Sequence, residues 1–144
     1  MMEENEPAYV RPDVAAFLGY LNSETQEAID EVTPTRAREM MRLSGVLVTH
    51  YHPDHIGGSF FGHTVAGLAD LLALAPVPVH VNDAEGDGVI KVTGVSETDL
   101  VRHAGGDTVH VGDIPITLLH TPGHTPGSQC FLCDGHLVAG DTLF

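Results

Sequence analysis

Apolar and polar positions change period several times along the chain, and each change marks an element. Residues 13–31 carry helical spacing with Ser23 as a candidate cap, though the segment 1–32 as a whole is only poorly assigned. Thr33 followed by Pro34 suits an N-cap and first helical position, and Gly45 suits the position just past a helix end, so a helix is predicted over 34–44. The apolar run at 46–49 then reads as a short buried strand. Val65, Leu68, Ala69 and Leu72 recur at helical spacing, and the apolar run at 77–81 predicts a strand after that helix. Ser96 with Asp99 three residues on is a capping pattern and predicts another helix. The remainder is largely β: 108–111, 116–120, 129–133 and 137–139 read as strands, with Asp134-Gly135 as a hairpin turn. No internal repeat appears, and the pattern predicts one α/β domain over 1–144.

The strand at 46–49 opens the run VLVTHYHPDHIGG, which packs three histidines and an aspartate into six residues. His50, His52 and Asp54 stand at i, i+2 and i+4, so in an extended segment they leave on one side, and His55 follows where the chain turns. A chance HxHxDH is expected in roughly one chain in 300 even at this histidine content, so composition does not account for it. Imidazole and carboxylate without thiolate suit zinc, iron or manganese. LLHTPGHTPGS at 118–128 and LVAGDTLF at 137–144 repeat the device: an apolar strand, a Gly or Pro turn, and a metal-competent side chain, His124 or Asp141.

These motifs resemble the metallo-β-lactamase superfamily of hydrolases, and within it the glyoxalase II-like (hydroxyacylglutathione hydrolase-like) branch. THYHPDHIGG is similar to the family's THxHxDHxGG, HTPGHTPGS to its third-histidine loop, and GDTLF to the loop of its bridging aspartate, so the resemblance covers about 43–144. It implies an αββα sandwich in which His50, His52 and His124 hold one ion, Asp54 and His55 belong to a second, and Asp141 bridges the two. It implies zinc, two ions in a complete protein, with iron or manganese as alternatives. The implied chemistry is attack of metal-activated water on a small acyl thioester or ester, with Asp54 as the catalytic carboxylate that orients the water.

The family usually supplies one more histidine to the second ion, some tens of residues past GDTLF, together with further strands and helices. By that measure the sandwich is incomplete and the chain looks truncated at its C-terminal side. The 144 residues alone are therefore expected to bind at most one ion tightly and to turn over thioesters weakly. A mononuclear iron sulfur dioxygenase of the same fold, using His50, His124 and Asp141, is the first alternative. A non-catalytic metal-binding remnant is the second.

Charge narrows the partner class. Six Lys and Arg against 20 Asp and Glu give a net charge of -14, which speaks against a nucleic-acid partner and leaves a small molecule. No apolar run approaches the roughly 18 residues needed to span a bilayer, and MMEENEP lacks the basic and apolar regions of a signal peptide, so no membrane association and a cytoplasmic location are expected. Oligomeric state is left open.

Cys130 and Cys133 lie three apart in a predicted strand and point to opposite faces, so buried small residues are expected rather than a redox pair. His63, His80, His103, His110 and His136 lack a partner motif and read as surface or packed residues. Tyr51 has the opposite parity from His50 and His52 and reads as core, whereas His120 reads equally well as structural or as a donor that orients a ligand.

Overall fold

A computed structural model of the chain describes residues 42–143. The helix expected over 13–31, and that over 34–44 as far as residue 41, lie outside them. Residues 42–45 are not helical, and Gly45 is absent from the glycines of positive φ, so it does not close a helix in the left-handed conformation. The chain there is already committed to a sheet, because the Val46 N–H donates to the Pro78 carbonyl at 2.9 Å.

Three parallel strands form the first sheet: β1 (Val46–Leu47), β4 (Val79–Asn82) and β5 (Leu100–His103), in the order β1-β4-β5. Parallel neighbours need crossovers. Between β1 and β4 these are α1 (Pro53–Ile56), a hairpin of β2 (Gly58–Phe60) and β3 (His63–Val65), and α2 (Leu68–Leu74). Between β4 and β5 runs α3 (Gly86–Thr93), followed by a 3-10 turn at Glu97–Asp99. Val79 and Val81 are fully buried and pack with Val48, Ile56, Leu68, Val89 and Val95 as one cluster, so all three helices bury side chains against one face of β4.

Four antiparallel strands form the second sheet in sequence order: β6 (Thr108–Val111), β7 (Ile114–His120), β8 (Gln129–Cys133) and β9 (His136–Val138). Asp134 and Gly135 both have positive φ, 47° and 77°, as a two-residue hairpin turn of this type requires. Leu118, Cys130, Phe131 and Cys133 are buried, the two cysteines as expected of small core residues. The two sheets are joined at Gln129, whose backbone N–H donates to the Thr49 carbonyl at 3.0 Å and whose Nε2 donates to the Val48 carbonyl at 2.8 Å.

Several boundaries differ from the sequence reading. The strand expected at 46–49 pairs only over Val46–Leu47, that at 77–81 over Val79–Asn82, and that at 116–120 begins at Ile114. Val65 belongs to β3 rather than to α2, which starts at Leu68 after the Asp70 carboxylate accepts the Gly67 N–H at 2.9 Å. The Ser96 and Asp99 pair does form a reciprocal cap, but on a single 3-10 turn, because the chain leaves it directly into β5.

His80 and His103 lie on neighbouring strands with Nδ1 and Nε2 2.8 Å apart, and Asp107 Oδ2 sits 3.1 Å from His103 Nδ1. Burial, and then the His103 charge, push the His80 imidazolium below its ordinary value of 6.5. Above that pH His80 is neutral folded or unfolded; as pH falls through 6.5 the unfolded chain takes the proton first, and stability is lost. The urea midpoint of the metal-free protein is therefore expected to drop between about pH 7.5 and about pH 5.5, with a shallower drop in His80→Gln. Identical slopes for the two proteins would count against this assignment.

Candidate metal centre

The end of β1 delivers His50 into the interior, where its side chain is 1% exposed. The Thr49 hydroxyl and His50 Nδ1 share a hydrogen bond of 2.9 Å, which leaves Nε2 as the outward atom. That Nε2 is buried and has no hydrogen-bond partner among the described residues; it faces Asp141 Oδ2 at 3.4 Å. Burial first, and then the charge of His55, hold the His50 imidazole below its ordinary pKa and so in the neutral form that binds metals.

His52 caps α1 with an extended backbone, and Pro53, with its fixed φ, begins the helix. This corrects one expectation: Asp54 does not continue the extended alternation of His50 and His52 but lies on the helix turn with His55. His55 Nε2 stands 3.6 Å from Asp54 Oδ2 and 3.2 Å from Asp141 Oδ2.

His124 comes from the loop between β7 and β8. The loop is closed by its own hydrogen bonds: the Thr121 N–H donates to the Ser128 carbonyl at 2.8 Å, and the buried Thr125 N–H donates to Ser128 Oγ at 3.0 Å. His120 Nε2 donates to the Pro126 carbonyl at 2.9 Å, so its bond braces the loop backbone and does not reach a ligand side chain. Asp141 rides on a 3-10 turn at Gly140–Thr142, tied to the same loop by a Thr121 to Thr142 hydroxyl bond of 2.9 Å. Gly140 has φ 53°, and a Cβ there would sit 2.8 Å from the Thr49 side chain, so only glycine lets this turn lie against β1.

The ligand-capable atoms of His50, His52, His124 and Asp141 all fall within 4.8 Å of one another. His52 Nδ1 is 3.0 Å from His124 Nε2, and His124 Nε2 is 3.1 Å from Asp141 Oδ2. Donors of a tetrahedral zinc site with bonds of about 2.0 to 2.1 Å stand about 3.3 to 3.4 Å apart, so the spacing and the donor chemistry both fit a divalent ion. Asp54 and His55 lie outside this group but adjoin it: the His55 ring is 4.2 Å from that of His50, centroid to centroid, and its Nε2 is 3.2 Å from Asp141 Oδ2. His63, His110 and His136 are exposed and belong to no such group among the described residues. Tyr51 packs on the core cluster, as its parity suggested.

Two buried polar residues that support the site carry no motif. Gln129 bonds the backbone just before His50, and Glu85 accepts the backbone N–H of Tyr51 and of Gly127. A lone Glu in a loop and a Gln at a strand start gave no local signal, because their partners are distant in sequence.

Comparison with known proteins places the chain. Residues 36–144 match the Metallo-beta-lactamase superfamily. A hydroxyacylglutathione hydrolase of Rhodopseudomonas palustris (strain BisA53) is 39% identical over 110 residues, covering 75% of this chain and 37% of that protein. One from Shewanella sp. (strain ANA-3) is 28% identical over 143 residues, covering 89% of this chain and 48% of its own length. The chain thus spans half or less of these curated relatives. The metallo-beta-lactamase SMB-1, solved with 2-mercaptoethanesulfonate, superposes with a TM-score of 0.52 at 20% identity, over 81% of this chain and 48% of that one. The two sheets, the helices packed on the first of them and the partial coverage agree with the incomplete αββα sandwich that the motifs implied, and the chain belongs to the metallo-beta-lactamase superfamily.

Proposed function

We propose that the chain carries the metal centre of a metal-dependent hydrolase that cleaves a small acyl thioester or ester, in the manner of glyoxalase II. The observation that carries this reading is the position of Asp141 Oδ2, which lies 3.4, 3.2 and 3.1 Å from Nε2 of His50, His55 and His124 and so faces both ligand sets at once. In this reading His50, His52 and His124 hold one ion, Asp54 and His55 contribute to a second, and Asp141 is shared. Zinc suits the donors best, and iron or manganese is compatible with them.

A divalent ion held there supplies Lewis acidity toward a carbonyl oxygen and toward water at neutral pH. The chain's own groups do the rest. His50 is kept neutral by burial and so remains a ligand at the pH of the reaction. Asp54, with its side chain 50% exposed, is open to solvent and substrate, and its carboxylate accepts a hydrogen bond from the attacking water. A thiolate leaving group needs little protonation, so thioester cleavage asks less of a general acid than ester cleavage does. The net charge of -14 favours a small molecule over a polyanion, and no helix among the described residues is long and apolar enough to cross a membrane. A cytoplasmic location belongs to the same reading.

The direct test uses the complete protein, zinc-loaded, with a hydroxyacylglutathione thioester, following free thiol. Release is expected, is expected to stop on chelation and to return with zinc. No release from a panel of thioesters and esters, with metal bound, would overturn the hydrolase reading. A mononuclear iron dioxygenase using His50, His124 and Asp141 is the second reading, favoured by one observation: the compact group is formed by His50, His52, His124 and Asp141, and Asp54 and His55 stand outside it.

A further inference from the structure

Glu85 is 1% exposed, and a carboxylate so placed is costly unless its oxygens are satisfied. Both are. Oε2 accepts the Tyr51 N–H at 2.8 Å and Oε1 accepts the Gly127 N–H at 2.8 Å. Tyr51 stands between His50 and His52, and Gly127 stands three residues after His124. One side chain therefore bonds the backbones of both loops whose histidines face each other.

The anchor of that side chain is itself fixed. The Glu85 N–H donates to the Asn82 carbonyl at 2.9 Å, and its carbonyl accepts the Val89 N–H at 3.0 Å, which ties it to the end of β4 and the first turn of α3. The approach is close on both sides. A Cβ at Gly127 would fall 2.8 Å from the Glu85 backbone nitrogen, and one at Gly88 would fall 2.8 Å from the Tyr51 ring. Both glycines let the two loops lie this close to the Glu85 and α3 segment.

We propose that Glu85 is a positioning residue for metal binding: it sets the separation of the His50 and His52 segment from the His124 loop, and so presets the site. The proposal rests on the metal-centre reading above. A backbone clamp acts before any ion arrives, and this one adds to the Gln129 bonds to Val48 and Thr49, which join the same segments just before His50 and just after the His124 loop. Loss of groups that orient ligands typically lowers metal affinity about 10- to 100-fold.

The test is zinc affinity by competition with a chromophoric chelator, beside the visible spectrum of the cobalt(II) form, in Glu85→Gln and Glu85→Asp. Glutamine presents an NH2 to one of the two N–H groups, so one bond is lost and a donor faces a donor; aspartate keeps the charge but is one methylene short. Glu85→Gln, folded by circular dichroism, is expected to bind zinc about 10- to 100-fold more weakly with altered cobalt bands, and Glu85→Asp to fall between it and the parent. A lower unfolding midpoint with unchanged zinc affinity and cobalt bands would mean that Glu85 serves the fold alone, and would overturn the proposal. Should neither variant fold, amide exchange in the metal-free parent decides: Tyr51 and Gly127 N–H protected together supports the clamp, and exchange of either at solvent rate overturns it. A parent that binds no zinc yet protects both amides would sink the metal reading and leave the clamp standing.

Discussion

Alanine at His50, His52 or His124 in the complete protein lowers zinc affinity by at least about 100-fold, whereas His63→Ala and His103→Ala leave it unchanged. Protein zinc sites with a full donor set are worth about 10 to 16 kcal/mol, so one donor of four is worth roughly 3 kcal/mol, or about two decades in affinity. The three losses are not expected to be equal. His124 has a side chain 32% exposed, and water can enter the position its ring leaves. His50 is 1% exposed and wedged under the Asp141 turn, so its alanine variant exchanges a ligand for a buried gap and is expected to lose the most. The specificity of the effect comes from geometry, since His103 is spent on His80 and Asp107 in another part of the sheet. Competition titration and elemental analysis on the five variants check this, and equal zinc content in all of them would rule the assignment out.

What could be read from the sequence was whatever is decided locally. The ligand motifs were visible because strand, turn and ligand are adjacent in each: β7 runs into the His124 loop, and β9 into the Asp141 turn. The strands of the second sheet were visible because Asp134-Gly135 can do little except turn a hairpin. α3 was missed because Gly86 and Gly88 depress helical propensity, and they are there for neighbours far along the chain: the Arg102 guanidinium sits against Gly86 and the Tyr51 ring against Gly88. β5 was missed with it, and Arg102, which joins it to Asp83, Asp87 and Glu97, had no visible partner in the linear pattern. The motif of Asp54 is legible in the sequence but its backbone is not, because Pro53 starts a helix turn that breaks the alternation of His50 and His52. Glu85 was beyond reach altogether, with its two partners 34 and 42 residues away.

Asp54→Asn and His55→Ala separate the two functional readings, since both residues stand outside the four-residue group, His55 beside Asp141 Oδ2 and Asp54 beside His55. In a binuclear hydrolase they serve the second ion. Zinc in the complete protein is then expected to fall from about two equivalents to about one, and thioester hydrolysis to fall at least about 100-fold, while the first ion stays bound. Asp54 loses a donor and also the acceptor that orients the water, so its rate loss is expected to exceed its metal loss. Neither change threatens the fold to a comparable degree, because the Asp54 side chain is 50% exposed and that of His55 is 31% exposed. In a mononuclear iron oxygenase the same substitutions remove nothing from the ion, and iron content is maintained near one equivalent in both variants. Metal analysis after loading with zinc and, separately, with iron, beside thiol release and oxygen uptake, reads both possibilities from one set of proteins. Retention of all bound metal by Asp54→Asn and His55→Ala, with oxygen consumed and no thiol released by the parent, would replace the hydrolase with the oxygenase.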